Sequence, residues 1–453
     1  MKKVLFSLLI SSSCFAQVFE TVPLLQNGDN SKRVVIAVLG DGFTTSEQAA
    51  FTASATTTIN YLFTKSPYNQ YKNYFNAYAV KVVSTESGVK HPGTATDVIE
   101  PVIPVSNPNN YLGSSFDFGV HRCIYSNTTN KVGQVLAASI PDYDITYILG
   151  NSTEYGGCGG TYAFASLAAA SNEIVVHELG HSFGELADEY WFAGSLESPN
   201  KTQNSNPATI KWKNWIGING IGINPYTESP TWFRPHQNCE MRFLDRQFCS
   251  VCKETIIEKI HSLVSPVDSF TPANTSSVNA SADVTFTVNE ILPVPNTLVN
   301  SWKLNGTTLT ATGNTLTLSP SQLNAGSNTL LFSVVDDNPL LKVDNHSSIH
   351  ITNVSWTLIK STLGLSEVNA EERRFSIYPN PTTGEFYIKG KKDFSKNVNV
   401  EIYDASGKRI PNKFELSEPA SIKIDIKNFP TGTYLMNIIE NKNIIISQKI
   451  IKE

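Results

Sequence analysis

The 453-residue chain has no apolar run approaching the roughly 18 residues that a membrane-spanning helix needs, so no transmembrane segment is expected. It has no surplus of basic charge: 35 Lys and Arg stand against 40 Asp and Glu, net −5, which excludes the electrostatic footprint of a nucleic-acid binder. Charged residues make up only 17%, while Asn, Ser and Thr are abundant, a balance that suits a β-rich exported protein. The Gly-x-x-x-x-Gly-Lys-Ser/Thr phosphate loop and the Gly-x-Ser-x-Gly nucleophile elbow are both absent. Methionine is scarce, with only Met1, Met241 and Met436.

What is present begins with a leader. Lys2 and Lys3 precede a short apolar stretch and a run of small residues, the pattern of a secretory signal peptide over residues 1–16. Export permits disulfides, and five cysteines remain beyond it: Cys123, Cys158, Cys239, Cys249 and Cys252. The odd number leaves at least one thiol unpaired within the chain. Cys249 and Cys252 form a Cys-x-x-Cys without a second such pair, so a disulfide to nearby Cys239 is expected rather than a zinc knuckle.

Residues 17–264 read as mixed α/β. The run Val34-Val35-Ile36-Ala37-Val38-Leu39 predicts a buried strand ending at the Gly40-Asp41-Gly42 turn, where Asp41 is expected to cap the turn or the following helix. A helix is predicted over 46–63 with Ser46 as N-cap, and strands over 77–83 and 144–149, in a sheet with parallel pairing. Residues 265–360 change to short alternating runs and Asn-Gly turns, an all-β sandwich of immunoglobulin-like pattern. Trp302 and Trp356 are expected in its core, with a carbohydrate platform as the alternative. Residues 361–373 read as a linker and 374–453 as a small β-sandwich.

The chemistry concentrates at His177-Glu178-Leu179-Gly180-His181. Imidazoles at i and i+4 project from one helix face and can share a zinc ion. At 100° per residue His177, Glu178 and His181 fall within about 100° of arc, and Val175, Val176, Leu179 and Phe183 fall on the opposite side. Glu178 is then placed as general base. A catalytic zinc wants a third protein ligand. The metzincin spacing puts it at Ala187, which cannot bind, so Asp188 is the choice and Glu189 the alternative. Met241, downstream and before a helical run over 253–263, fits a Met-turn beneath the metal. Upstream, Tyr155-Gly156-Gly157-Cys158-Gly159-Gly160 offers backbone that can approach an extended peptide, and Tyr190 joins Tyr155, Gly156 and Gly157 as a candidate substrate contact.

Together these motifs resemble the IgA-peptidase-like metallopeptidases, the igalysins. The resemblance is carried by residues 177–190, by Leu39-Gly40-Asp41-Gly42-Phe43-Thr44, by Glu86-Ser87-Gly88, by Tyr155-Gly156-Gly157, and by Cys239-x-Met241 with Cys249-x-x-Cys252. It spans residues 19–264 and the sandwich that follows. It implies a metzincin-like zincin fold, His177, His181 and Asp188 as ligands of one catalytic Zn2+, Glu178 as base and Met241 as the Met-turn residue. Gly184-Glu185 departs from the family, where a small residue and then Gly are expected. The C-terminal unit resembles the sorting domain of type IX secretion, through Ser376-Ile377-Tyr378-Pro379-Asn380-Pro381, Ile402-Tyr403-Asp404 and Phe429-Pro430-Thr431-Gly432. That implies passage through the periplasm to the surface or medium, with the type IX machinery as partner.

The sequence therefore predicts a secreted zinc endopeptidase acting on protein or peptide substrates. The alternatives are an exported binding protein on a non-catalytic zincin scaffold and a hydrolase of non-protein amides such as cell-wall peptides.

Overall fold

The computed structural model describes residues 17–99, 103–191, 196–360, 375–390, 398–411, 413–418, 420–440 and 443–453. The expected signal peptide and linker lie outside the described residues. The chain divides into two compact units, Met1–Ile359 and Lys360–Glu453.

The first unit is organised by a six-stranded sheet. Its strands are β1 (Thr21–Leu25), β2 (Val34–Asp41), β3 (Phe75–Val80), β4 (Ile145–Gly150), β5 (Gly157–Cys158) and β6 (Ala163–Ser166), in the order β1-β3-β2-β4-β6-β5. β2 pairs in parallel with β3 and β4, and β4 with β6; β1 and β5 are antiparallel edges. All eight residues of β2 are buried, as a strand covered on both faces requires. Alternation sorts them. Val34, Ile36 and Val38 face a core shared with helices α1 (Gln48–Leu62), α3 (Ser171–Ser182) and α4 (Ser250–Leu263). Val35, Ala37 and Leu39 face the other core, under α2 (Thr129–Ser139).

Two local expectations are corrected. Ser46 does not cap α1: a short 3-10 turn (Thr45–Glu47) precedes it, and the Glu47 carboxylate accepts from the Thr44 amide at 2.8 Å and the Thr44 hydroxyl at 2.7 Å. Asp41 is not a local cap either. It is fully buried, and its two oxygens accept from the amides of Leu112 and Ser114, each at 2.8 Å. A carboxylate at a strand end thus fixes a loop distant in sequence.

Residues beyond α4 form two sheets in the same unit. One holds Val267–Thr271, Val284–Glu290 and Thr315–Leu318; the other holds Val278–Asn279, Leu298–Leu304, Thr307–Thr308, Gly326–Asp336 and Thr352–Lys360. Trp302 and Trp356 stack between them with ring centroids 5.9 Å apart and are at most 1% exposed, which removes the carbohydrate-platform alternative. Their indole N–H groups donate to Gly313 O and Pro272 O, so neither buried donor is orphaned. The buried Asp336 carboxylate accepts from Tyr71 Oη and His261 Nε2, joining this layer to β3's approach and to α4.

The second unit has two four-stranded sheets around Phe386, Ile388, Val400, Ile402, Ile424 and Met436. It is the small sandwich that the Pro, Asn and Gly turns predict.

Candidate active site

α3 carries the centre of the site. Val175, Val176, Leu179 and Phe183 are all buried, docking one face of the helix on the sheet as the wheel requires. The opposite face presents His177, Glu178 and His181. The helix closes at Phe183, and the chain turns back through Gly184 and Glu185; Leu186 N donates to Gly180 O at 3.0 Å. This return brings Asp188 over the helix.

There His177 Nε2 lies 3.1 Å and His181 Nε2 3.2 Å from Asp188 Oδ1, and the two imidazole nitrogens are 3.2 Å apart. Ligands at about 2.0–2.1 Å from a tetrahedral zinc would stand about 3.3 Å from each other, so the donor set fits the ion. The other nitrogen of each ring faces a backbone carbonyl: His177 Nδ1 faces Glu240 O at 3.0 Å and His181 Nδ1 faces Leu186 O at 2.7 Å. Such contacts fix the tautomer that leaves Nε2 free to ligate. Burial favours the neutral His181 ring, but Asp188 and the Leu186 carbonyl hold its proton and bring its pKa up to about 9. Burial also opposes ionisation of Asp188, yet hydrogen bonds from both rings take it well below the usual carboxylate range.

Glu178 points into a cleft of about 410 Å3 that it shares with Val120, Arg122, Tyr155, Tyr190 and Arg242. Burial raises its carboxyl above the ordinary value, against the pull of the two imidazoles. Gly159 makes room for it: a Cβ there would stand 1.7 Å from Glu178 Oε2. Met241 is fully buried under α3, and a Cβ on Gly180 would meet its Sδ at 2.4 Å. Glu189 N donates to Met241 O at 2.7 Å, so the returning segment and the turn at Met241 are hydrogen-bonded together.

The other sequence candidates scatter around this centre. Tyr190 lies nearly parallel to the His177 ring, centroids 6.4 Å apart, and Tyr155 lines the cleft. Gly157 sits on the edge strand β5, but its N–H already donates to Arg122 O. Gly156 is buried behind it, where a Cβ would meet Arg122 O and Phe116. Glu189, the alternative third ligand, turns the other way and is buried among three cysteines. Cys123 and Cys158 form a disulfide that ties β5 to the far wall of the cleft. Spacing alone gave no hint of this pairing. The expected disulfide to Cys239 is not formed; Cys239, Cys249 and Cys252 are all free thiols.

A helix bearing two imidazoles and a carboxylate, with a second carboxylate folded back over it, brings together a donor set that could hold a metal ion. Residues 22–229 match the IgA Peptidase M64 family, and residues 376–453 match the secretion system C-terminal sorting domain. The chain thus carries a peptidase domain followed by β-rich domains and an export signal of the type IX kind, and among the described residues no helix is long and apolar enough to cross a membrane. No curated protein matches it. Among solved structures, the Lin-41 filamin domain aligns at 13% identity over 18% of this chain and 92% of its own, with a TM-score of 0.16. A Bacteroides ovatus mixed-linkage glucan utilization protein, SGBP-B, aligns at 14% identity over 41% of this chain and 47% of its own, also with a TM-score of 0.16.

Proposed function

We propose that the chain is a secreted zinc endopeptidase whose catalytic ion is held by His177, His181 and Asp188. The observation that carries this reading is the convergence of the two Nε2 atoms and Asp188 Oδ1 within 3.2 Å, beside Glu178 in an open cleft. Zinc bound by this trio supplies Lewis acidity toward the scissile carbonyl and lowers the pKa of a water toward about 7.

The chain's own groups do the rest. Glu178 takes the proton from the attacking water and passes it to the leaving amine, so no covalent intermediate with the protein forms. Its raised affinity for a proton suits both transfers. The backbone beyond Cys158, at the free end of β5, pairs with an extended substrate and lays the scissile bond across Glu178. Arg122 and Arg242 line the cleft together with Val120 and Leu244, favouring peptides with an acidic and an apolar side chain near the cut. The sheets over 265–360 are an immunoglobulin-like module that braces the peptidase domain, and the domain bounds are those read from the sequence.

The test is cleavage of a mixed peptide library by the purified exported protein, with and without chelator, beside Glu178→Gln with its metal content measured. Cleavage lost in both controls, with zinc retained in the variant, is the expected result. A folded wild type that holds zinc and cuts no peptide overturns the endopeptidase reading.

A further inference from the structure

A second constellation of metal-ligating atoms stands behind the first. Cys239, Cys252 and Glu189 are fully buried and Cys249 is 7% exposed. Cys252 Sγ lies 3.7 Å from Cys239 Sγ, 3.5 Å from Cys249 Sγ and 3.4 Å from Glu189 Oε1. Glu189 Oε1 is 4.0 Å from Cys249 Sγ, and all four ligating atoms lie within 4.8 Å of one another. Sulfurs bonded to each other stand about 2.05 Å apart. Sulfurs sharing a tetrahedral zinc at about 2.3 Å stand about 3.8 Å apart, and this cluster has the second spacing.

Three further features belong to a metal site and not to a set of inert thiols. Glu189 Oε2 is buried and makes no hydrogen bond, which is costly for a carboxylate surrounded by thiols. The Cys249 amide donates to Cys239 Sγ at 3.3 Å, the contact a thiolate accepts. Cys249 and Cys252 flank the first residues of α4, a knuckle whose missing second half is supplied by Cys239 and Glu189 from two other segments. Cys-x-x-Cys spacing alone does not reveal this, because one ligand is a carboxylate.

We propose that Cys239, Cys249, Cys252 and Glu189 bind a second, structural zinc ion. Four protein ligands close the coordination sphere, so this ion takes no part in chemistry. It joins the returning segment at Glu189, the turn at Cys239 and the start of α4. The residues adjoining two of those ligands are Asp188 and Glu240, which place a carboxylate and a carbonyl against the His177–His181 pair, and Met241 follows with its side chain under Gly180. The site is a staple that fixes the third catalytic ligand. It also explains how three neighbouring thiols stay reduced in an exported chain.

The test uses the purified full-length exported protein. Elemental analysis is expected to give two zinc ions per chain, one of them retained by the folded His177→Ala/His181→Ala double variant. All three thiols should stay silent to a thiol reagent until denaturation with chelator. Cobalt substituted into the same double variant should show sulfur-to-metal charge-transfer absorption, which the catalytic trio cannot give because it has no sulfur. Cys252→Ser should lose that band and one zinc. A disulfide among Cys239, Cys249 and Cys252 in mapped peptides, or a folded double variant without metal, overturns the proposal. Failure of the catalytic reading looks different: one zinc in the wild type, kept when both histidines are removed.

Discussion

Replacing Gly180 by alanine tests how α3 rests on Met241. By helix propensity alone the change should stabilise α3 by about 1 kcal/mol. The structure opposes this. The added Cβ would stand 2.4 Å from Met241 Sδ, 3.2 Å from Phe248 Cε1 and 3.3 Å from Met241 Cε. Comfortable contact needs about 3.5–4.0 Å, so the sulfur must retreat by more than an ångström. It has little room, because Met241 is fully buried and its carbonyl is bonded to Glu189 N. Overpacking costs about 1–3 kcal/mol, and a displacement this large at a fully buried site takes the upper part, about 2–3 kcal/mol, so after the propensity gain a net loss of about 1–2 kcal/mol is expected in denaturant unfolding. Displacing the turn also moves the Glu240 carbonyl that orients His177, so kcat/KM should fall about tenfold to a hundredfold. Met241→Ala alone should cost about 2–5 kcal/mol, and distinctly less when Gly180→Ala is already present. A Gly180→Ala protein as stable as wild type, or two costs that simply add, would refute the reasoning.

Gly159→Ala should abolish peptide cleavage while leaving bound zinc intact, since its methyl group takes the place of Glu178 Oε2; metal analysis beside activity checks it. Glu185 holds a left-handed φ of +55°, a conformation that favours glycine, so Glu185→Gly should stabilise by up to about 1 kcal/mol in urea melts, less whatever the exposed Lys259 ion pair contributes. Burial pushes the Glu240 carboxyl up to about 8, above its unfolded value. The folded state therefore binds the extra proton between about pH 4.5 and 8, and stability falls with rising pH across that window by up to about 1.4 kcal/mol per unit; Glu240→Gln should flatten the slope.

The parts legible in the sequence were those fixed by neighbours along the chain. β2 announced itself because burial on both faces demands an unbroken apolar run, and α3 because two imidazoles and four apolar residues share a period of about 3.6. What stayed hidden depends on partners far apart in sequence. In the Gly40-Asp41-Gly42 turn Asp41 has the sequence context of a local cap, but its amide partners are at Leu112 and Ser114. The cysteines misled for the same reason. Proximity in sequence suggested Cys239 as a disulfide partner, whereas the bond that forms joins Cys123 to Cys158 across the cleft.

The adjacent carboxylates at 188 and 189 show why one residue of register decides the site. Both follow the helix at a distance from which either could reach its histidines, and composition cannot separate them. The chain passes Asp188 with one side toward α3 and the other toward α4, so consecutive side chains diverge. The return through Gly184, Glu185 and Leu186 sets which one faces inward, because Leu186 is bonded by its amide to Gly180 and by its carbonyl to His181. Asp188 then meets the imidazoles, Glu189 meets the sulfurs, and the Glu189 amide is held by Met241. Shifting this segment by one residue would exchange the two carboxylates and spoil both clusters together. The left-handed Glu185 is thus tolerated at a cost of about 1 kcal/mol because the turn it completes sets that register.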